Sequence, residues 1–271
     1  MDRQPSCSPV EKNKVIQEYF IECIEKNVPV TFSKYGDGEF FCAFPEYRQG
    51  SQNCDNDSYT DNLSLSVKKS FKYVVENTNS YIGMWHDNSE KWAKLVDVPV
   101  NWTNYHAFIF DKWDINCETH AWKVKLFTAI KTSPLKKIIV CNELLVKSQI
   151  LLNIDHVVVV PFNNWFDEKF VSILEEVSNL IGEDGNHIVM TCCGMSAKVL
   201  IAELSKKYPK GIYFDIGSGL DKLCTKKDSR GVYKNYEELL DLFKDIIPDS
   251  WNDPKYDYIY DEASTKLGIH L

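Results

Sequence analysis

In the stretch FSKYGDGEF, residues 32–40, Asp37 and Glu39 stand two positions apart, with Gly36 and Gly38 beside them. If the backbone there is extended, side chains at i and i+2 share one face. Their Cα atoms then lie about 7 Å apart, close enough for both carboxylates to converge on one hydrated cation. A hard-oxygen pair with room for water suits magnesium or manganese, and through the metal a diphosphate. The same residues also fit a plain helix start running to Ala43, with Asp37 as cap and Glu39 favoured by the helix dipole. In the linear sequence the nearest base to the pair is Lys34.

Other chemistry-bearing residues follow short apolar runs. His86 and Asp87 follow YIGMW; Asn142 and Glu143 follow KIIVC. Asn163, Asn164 and Trp165 follow HVVVV, and Gly194, Ser196 and Lys198 follow HIVMT. Asp215, Ser218 and Asp221 close GIYFD. Each has a plainer reading. Ser196 can be a helix start, Asp215 and Asp221 can cap the next element, His86 can face solvent, and Trp165 with Phe166 can be core. Lys136-Lys137 and Lys206-Lys207 read as solvated helix ends.

The elements that must position these residues alternate along the chain. A helix is expected over 8–26, then a strand in VPVTF (28–32), a polar mobile loop over 45–58 and a helix over 59–76. Strands follow at 81–85 and 105–110, with a short helix at 90–95 between them. In the second half four β-branched runs, 137–141, 156–160, 187–191 and 211–215, alternate with helices at 143–152, 167–180 and 196–207. That pattern predicts one α/β domain over 1–271, Rossmann-like, with a mostly parallel sheet covered by helices on both faces. Ligands of such sheets bind beyond the carboxyl ends of the strands. All the residues above fall there.

Composition narrows the class. Of 271 residues 44% are apolar, and the net charge is −8 from 31 basic and 39 acidic side chains, which argues against a duplex-binding protein. The first residues show no apolar signal segment, and no run approaches the roughly 20 residues that span a bilayer. Nine scattered cysteines, several in apolar runs (Cys42, Cys141, Cys192), read as reduced thiols of a cytoplasmic protein without a direct membrane anchor. Cys192-Cys193 lack C-x-x-C spacing. KYGDGE has the wrong glycine spacing for a dinucleotide fingerprint, and neither a Walker A lysine motif nor a G-x-S-x-G elbow occurs.

SKYGDGEF resembles the Arg-Tyr-Gly-Asp-Gly-Glu signature of glycosyltransferases with the GT-D fold, whose Asp-x-Glu pair works with a divalent metal and a nucleotide-sugar donor. VVVVPFNNWFDEKF is similar to a second segment of that family, and CGMSAKVLIAELSKKYPKGIYFDIGS to a third. Together they cover roughly residues 30–221. The resemblance implies that Asp37 and Glu39 hold Mn2+ or Mg2+ and the donor diphosphate. It also implies that Asn164, Gly194, Met195, Ser196 and Asp215 belong to the donor site. Lys34, Tyr35, Gly36 and Gly38, with Asn142 and Ser218 from later strand ends, complete the expected donor-binding set. The 191–198 turn is expected to aim its amides at the donor phosphates. Two departures stand out. Lys34 replaces the usual arginine and loses its bidentate fork. Ser218 replaces a frequent histidine, leaving Asp221 or His86 for the catalytic role.

The expected activity is metal-dependent transfer of a sugar from a nucleoside-diphosphate sugar, UDP-sugar favoured, to a hydroxyl of a glycan or glycoprotein acceptor, with no nucleic acid partner. Trp85, Trp102 and Tyr105 are candidate acceptor-stacking faces. Two rivals remain: a Rossmann-like S-adenosylmethionine-dependent methyltransferase using Asp37 or Asp215 for a ribose hydroxyl, and a catalytically inactive glycan-assembly subunit.

Overall fold

The protein is described here from a computed structural model over residues 10–84, 88–110, 117–226 and 235–253. His86, Trp85 and Asp87 lie outside the described residues. The first half runs α1 (Val10–Lys26), β1 (Val30–Tyr35), α2 (Asp37–Ala43), a 3-10 turn (Pro45–Tyr47), α3 (Asp61–Asn77), β2 (Ser80–Met84), α4 (Ser89–Ala93) and β3 (Trp102–Asn104). The second runs α5 (Cys117–Thr132), β4 (Lys136–Cys141), α6 (Ser148–Leu152), β5 (His156–Val159), α7 (Phe166–Ile181), β6 (His187–Cys192), α8 (Ser196–Lys207) and β7 (Ile212–Asp215). A 3-10 turn (Gly217–Leu220), α9 (Asp221–Thr225) and α10 (Tyr236–Phe243) follow.

The seven strands form one sheet in the order β3-β2-β1-β7-β6-β4-β5, every described pairing parallel. The chain winds outward from β1 to β3, crosses to β4 and β5, then returns inward through β6 and β7. The carboxyl ends of β1, β7 and β6 therefore sit side by side at the centre, where a doubly wound sheet opens a crevice.

Burial on both faces explains the unbroken apolar runs. Every residue of β1 and β6 is buried. In β4, Ile139 and Cys141 join a core with Phe20 of α1 and Phe127 of α5. Ile138 and Val140 point the other way, against Val177 of α7 and Leu200 of α8. Trp165 and Phe166 are core, as their plainer reading had it.

Three expectations are corrected. Residues 105–110 are no strand: Asn104 Oδ1 accepts from His106 N at 2.9 Å and Asn104 O accepts from Ala107 N, so the chain turns just after β3. The helix expected over 143–152 is split between a 3-10 turn (Glu143–Leu145) and α6. Lys137 is buried, because its ammonium donates to Lys131 O at 3.1 Å and Ser133 O at 2.9 Å, satisfying carbonyls at the end of α5. Lys206 is partly exposed, as expected.

Candidate functional site

β1 delivers Lys34 and Tyr35 to the crevice from inside the strand. The β1–β7 ladder ends at the Phe32–Phe214 pair. Past it, the Lys34 amide donates to Asp215 Oδ2 at 3.0 Å, so a side-chain carboxylate takes the place of the missing strand carbonyl. Lys34 Nζ donates to Ile216 O at 3.1 Å and lies 4.9 Å from the Tyr105 ring centroid. Gly217, at φ 57°, is glycine because a Cβ there would collide with Lys34 Nζ.

The Asp37–Glu39 pair divides. A helix does start here and run to Ala43, but its cap is Gly36 and not Asp37, which is the first helical residue; the first turn turns Glu39 inward. Asp37 is exposed, with Oδ1 accepting from Gly38 N at 3.0 Å. Glu39 is buried: Oε2 accepts from Gly36 N at 2.8 Å and Oε1 lies 2.6 Å from Lys198 Nζ. The sequence had put only Lys34 near this pair; the fold brings Lys198 instead.

Lys198, in the first turn of α8, reaches back into the crevice. Its ammonium also lies 3.0 Å from Asp215 Oδ2 and donates to Gly194 O at 3.2 Å. Burial opposes its charge, but Asp215 and Glu39 outweigh that and hold it well above the ordinary lysine value. For Lys34 burial wins: its pKa is lowered despite Asp215, and Lys198 adds to the lowering. Tyr105 is raised, first by burial and then by Glu39.

The start of α8 faces a carboxylate of the chain itself. Asp57 Oδ1 accepts from Asn164 N at 2.6 Å, and the carboxylate also bonds the Met195 backbone. Burial nevertheless raises the Asp57 pKa. Gly194, at φ 71°, passes so close that a Cβ would lie 2.8 Å from Asp57 Oδ2. Asn164, itself at φ 54°, clamps the same loop: Oδ1 accepts from Ser58 N at 2.8 Å and Nδ2 donates to Asn56 O at 3.2 Å. A Cβ on Gly38 would lie 3.4 Å from Asn53. The polar segment read as a mobile loop is thus bonded to the second and third motif segments and lies beside Gly38 of the first. Of the amides expected to face a donor phosphate, that of Met195 is bonded to Asp57.

The remaining candidates are placed as follows. Met195 and Ser196 are buried at the start of α8, and Tyr35 is buried against Phe71 and Trp92. Asn142 caps the turn after β4, its Oδ1 accepting from Leu144 N at 3.0 Å, which is a local role. Ser218 lies in the 3-10 turn after β7, and Asp221 opens α9. Trp102 stacks on Phe71, with centroids 6.2 Å apart. Sequence reasoning noted Lys198 without giving it a role and passed over Asp57 altogether.

Toward a divalent cation the arrangement offers one ligand rather than a complete site at Asp37, which is exposed and keeps Oδ2 outside the local hydrogen bond. It offers none at Glu39, whose two oxygens are engaged by an ammonium and an amide. Among the described residues no group of three or more His, Cys, Asp or Glu side chains gathers as a metal cage. Nor is any helix there long and apolar enough to cross a membrane.

No family model matches the chain, and no curated protein does. Solved structures do. One, described as the highly conserved domain of unknown function 1792 with a distinct glycosyltransferase fold, superposes with a TM-score of 0.53 at 16% identity, covering 80% of this chain and 85% of that one. Another, described as a new glycosyltransferase (DUF1792) from Streptococcus sanguinis, gives a TM-score of 0.53 at 16% identity over 88% of this chain and 95% of that one. At this identity the likeness is one of fold: the chain has the α/β architecture of these structures.

Proposed function

We propose that the protein is a glycosyltransferase moving a sugar from a nucleoside-diphosphate donor, UDP-sugar favoured, to a hydroxyl of a glycan acceptor. One observation carries the reading. Glu39, from one segment read as a motif of such enzymes, meets Gly194 and Asp215, from another, at a single atom of the latter, Lys198 Nζ, at the central strand ends. The fold shared with structures described as glycosyltransferases supports it.

The reaction asks the protein to hold a diphosphate and to offset the charge that grows on it as the sugar leaves. Asp37 would hold Mn2+ or Mg2+, and a bound cation would supply positive charge to the diphosphate. Glu39 orients the Gly36–Gly38 turn through the Gly36 amide. Lys34 and Asp215 would support the donor from beneath, with Tyr105 beside Lys34 and Tyr35 packed behind them against Phe71 and Trp92. Donor phosphates would reach Gly194, Met195 and Ser196 only with the Asp57 loop released from the contacts by which Asn164 holds it there. Asp221 is the described candidate for taking the acceptor proton; His86 is the other.

A methyltransferase would use Asp37 or Asp215 for a ribose hydroxyl; Asp215 Oδ2 is already taken by the Lys34 amide and Lys198, which leaves that rival Asp37. Titration calorimetry with UDP-sugars, GDP-sugars and S-adenosylmethionine, with and without Mn2+, tests the assignment. The expected result is nucleotide-sugar binding that strengthens with Mn2+. Metal-independent binding of S-adenosylmethionine alone would overturn it.

A further inference from the structure

We infer that the Lys198 ammonium is a built-in cation occupying the place a metal would take between Glu39 and Asp215, which makes Glu39 a positioning residue and leaves Asp37 as the metal-facing carboxylate. An ammonium has three protons, and here all three have oxygen partners: Glu39 Oε1 at 2.6 Å, Asp215 Oδ2 at 3.0 Å and Gly194 O at 3.2 Å. Two carboxylates and a backbone carbonyl are the donor set of a hard cation. They come from the first turn of α2, just past β1, from the end of β7 and from the β6–α8 turn, so one side chain ties three strand ends together.

Charge balance points the same way. Lys34 and Lys198 offset Glu39 and Asp215, and all four side chains are buried. A divalent ion added beside Glu39 would stand next to the buried Lys198 ammonium, a like-charge contact that is costly away from water. Exposed Asp37 stands outside this balance. Lys198 acts on it indirectly: by fixing Glu39, whose other oxygen holds the Gly36 amide, it sets the turn from which Asp37 projects.

The inference borrows from the proposed function only the idea that a cation serves at Asp37. Its test uses Mn2+ alone, without donor or acceptor, so failed sugar transfer would not decide it. Electron paramagnetic resonance counts Mn2+ bound to the full chain and to variants checked for folding by circular dichroism. The expected result is that Glu39→Gln binds as much Mn2+ as the unmodified protein. Lys198→Met should gain one Mn2+ that the double variant Lys198→Met, Glu39→Gln does not bind, and Lys198→Arg, keeping the charge, should gain none. Loss of bound Mn2+ in Glu39→Gln, or a folded Lys198→Met without the added ion, would overturn the inference. If Lys198→Met does not fold, the Glu39→Gln comparison decides alone.

Discussion

The Lys198 ammonium sits 2.6 Å from Glu39 Oε1, with both side chains almost wholly buried. Breaking a buried pair by removing one partner typically costs about 3–5 kcal/mol, because the other charge is left uncompensated. Here two carboxylates would be left, since Asp215 shares the same ammonium. Lys198→Met should therefore lower stability by about 3–5 kcal/mol, and Lys198→Arg by clearly less. Urea unfolding followed by circular dichroism measures both. Equal losses would mean that shape, not charge, is what the site needs.

The spacing of Asp37 and Glu39 was legible in the sequence, but their division into an outward and an inward carboxylate was not. That depends on Lys198 arriving from α8, a contact between distant segments that spacing cannot encode. Asp57 was invisible for a similar reason: it lies in a polar stretch with no periodicity, and its role comes from Asn164 and Met195. The four second-half strands were legible because burial on both faces forces continuous β-branched runs. The 105–110 run looked the same in composition, yet the Asn104 turn diverts it. Apolar content reports burial more faithfully than it reports strand pairing.

His187 gives the stability curve an acid limb. It is fully buried beside the Tyr213 hydroxyl at 3.0 Å, and burial lowers its pKa from 6.5 to about 4. Between those values the unfolded chain binds the proton and the folded one does not. The stabilisation is therefore complete above pH 6.5 and is lost as pH falls toward 4. The shift corresponds to about 3 kcal/mol at most. Thermal melts of the protein and His187→Gln across this range should show a steep fall for the former and a shallower one for the latter. Parallel curves would remove His187 from the explanation.

Gly194→Ala should cost about 1–3 kcal/mol, from the left-handed backbone and from displacing Asp57. In an Asp57→Ala background the second part disappears, so the two changes should cost less together than the sum of each alone. A double-mutant cycle read by thermal unfolding checks this. Strict additivity would mean that Asp57 does not hold the turn.

Of the cysteines whose side chains are described, Cys54 is exposed and six are buried. Native protein treated with a thiol reagent should lose one rapidly reacting thiol on Cys54→Ser. Cys23, Cys42, Cys141, Cys192, Cys193 and Cys224 should react only on unfolding. Denatured protein without reductant should yield close to the nine thiols of the sequence. A count well short of nine would reveal disulfides that the cytoplasmic reading excludes.

The central claim is tested most directly by release of nucleoside diphosphate from a panel of UDP- and GDP-sugars with Mn2+ or Mg2+, comparing the unmodified protein with Asp37→Asn. The amide keeps the carboxylate's shape at an exposed position, so the fold and melting temperature should be unchanged. The account predicts metal-dependent turnover of at least one nucleotide sugar, reduced about 10²–10³-fold in Asp37→Asn, the scale of losing one electrostatic contact to the transition state. Full activity in that variant, or no turnover of any nucleotide sugar by the unmodified protein, would contradict it.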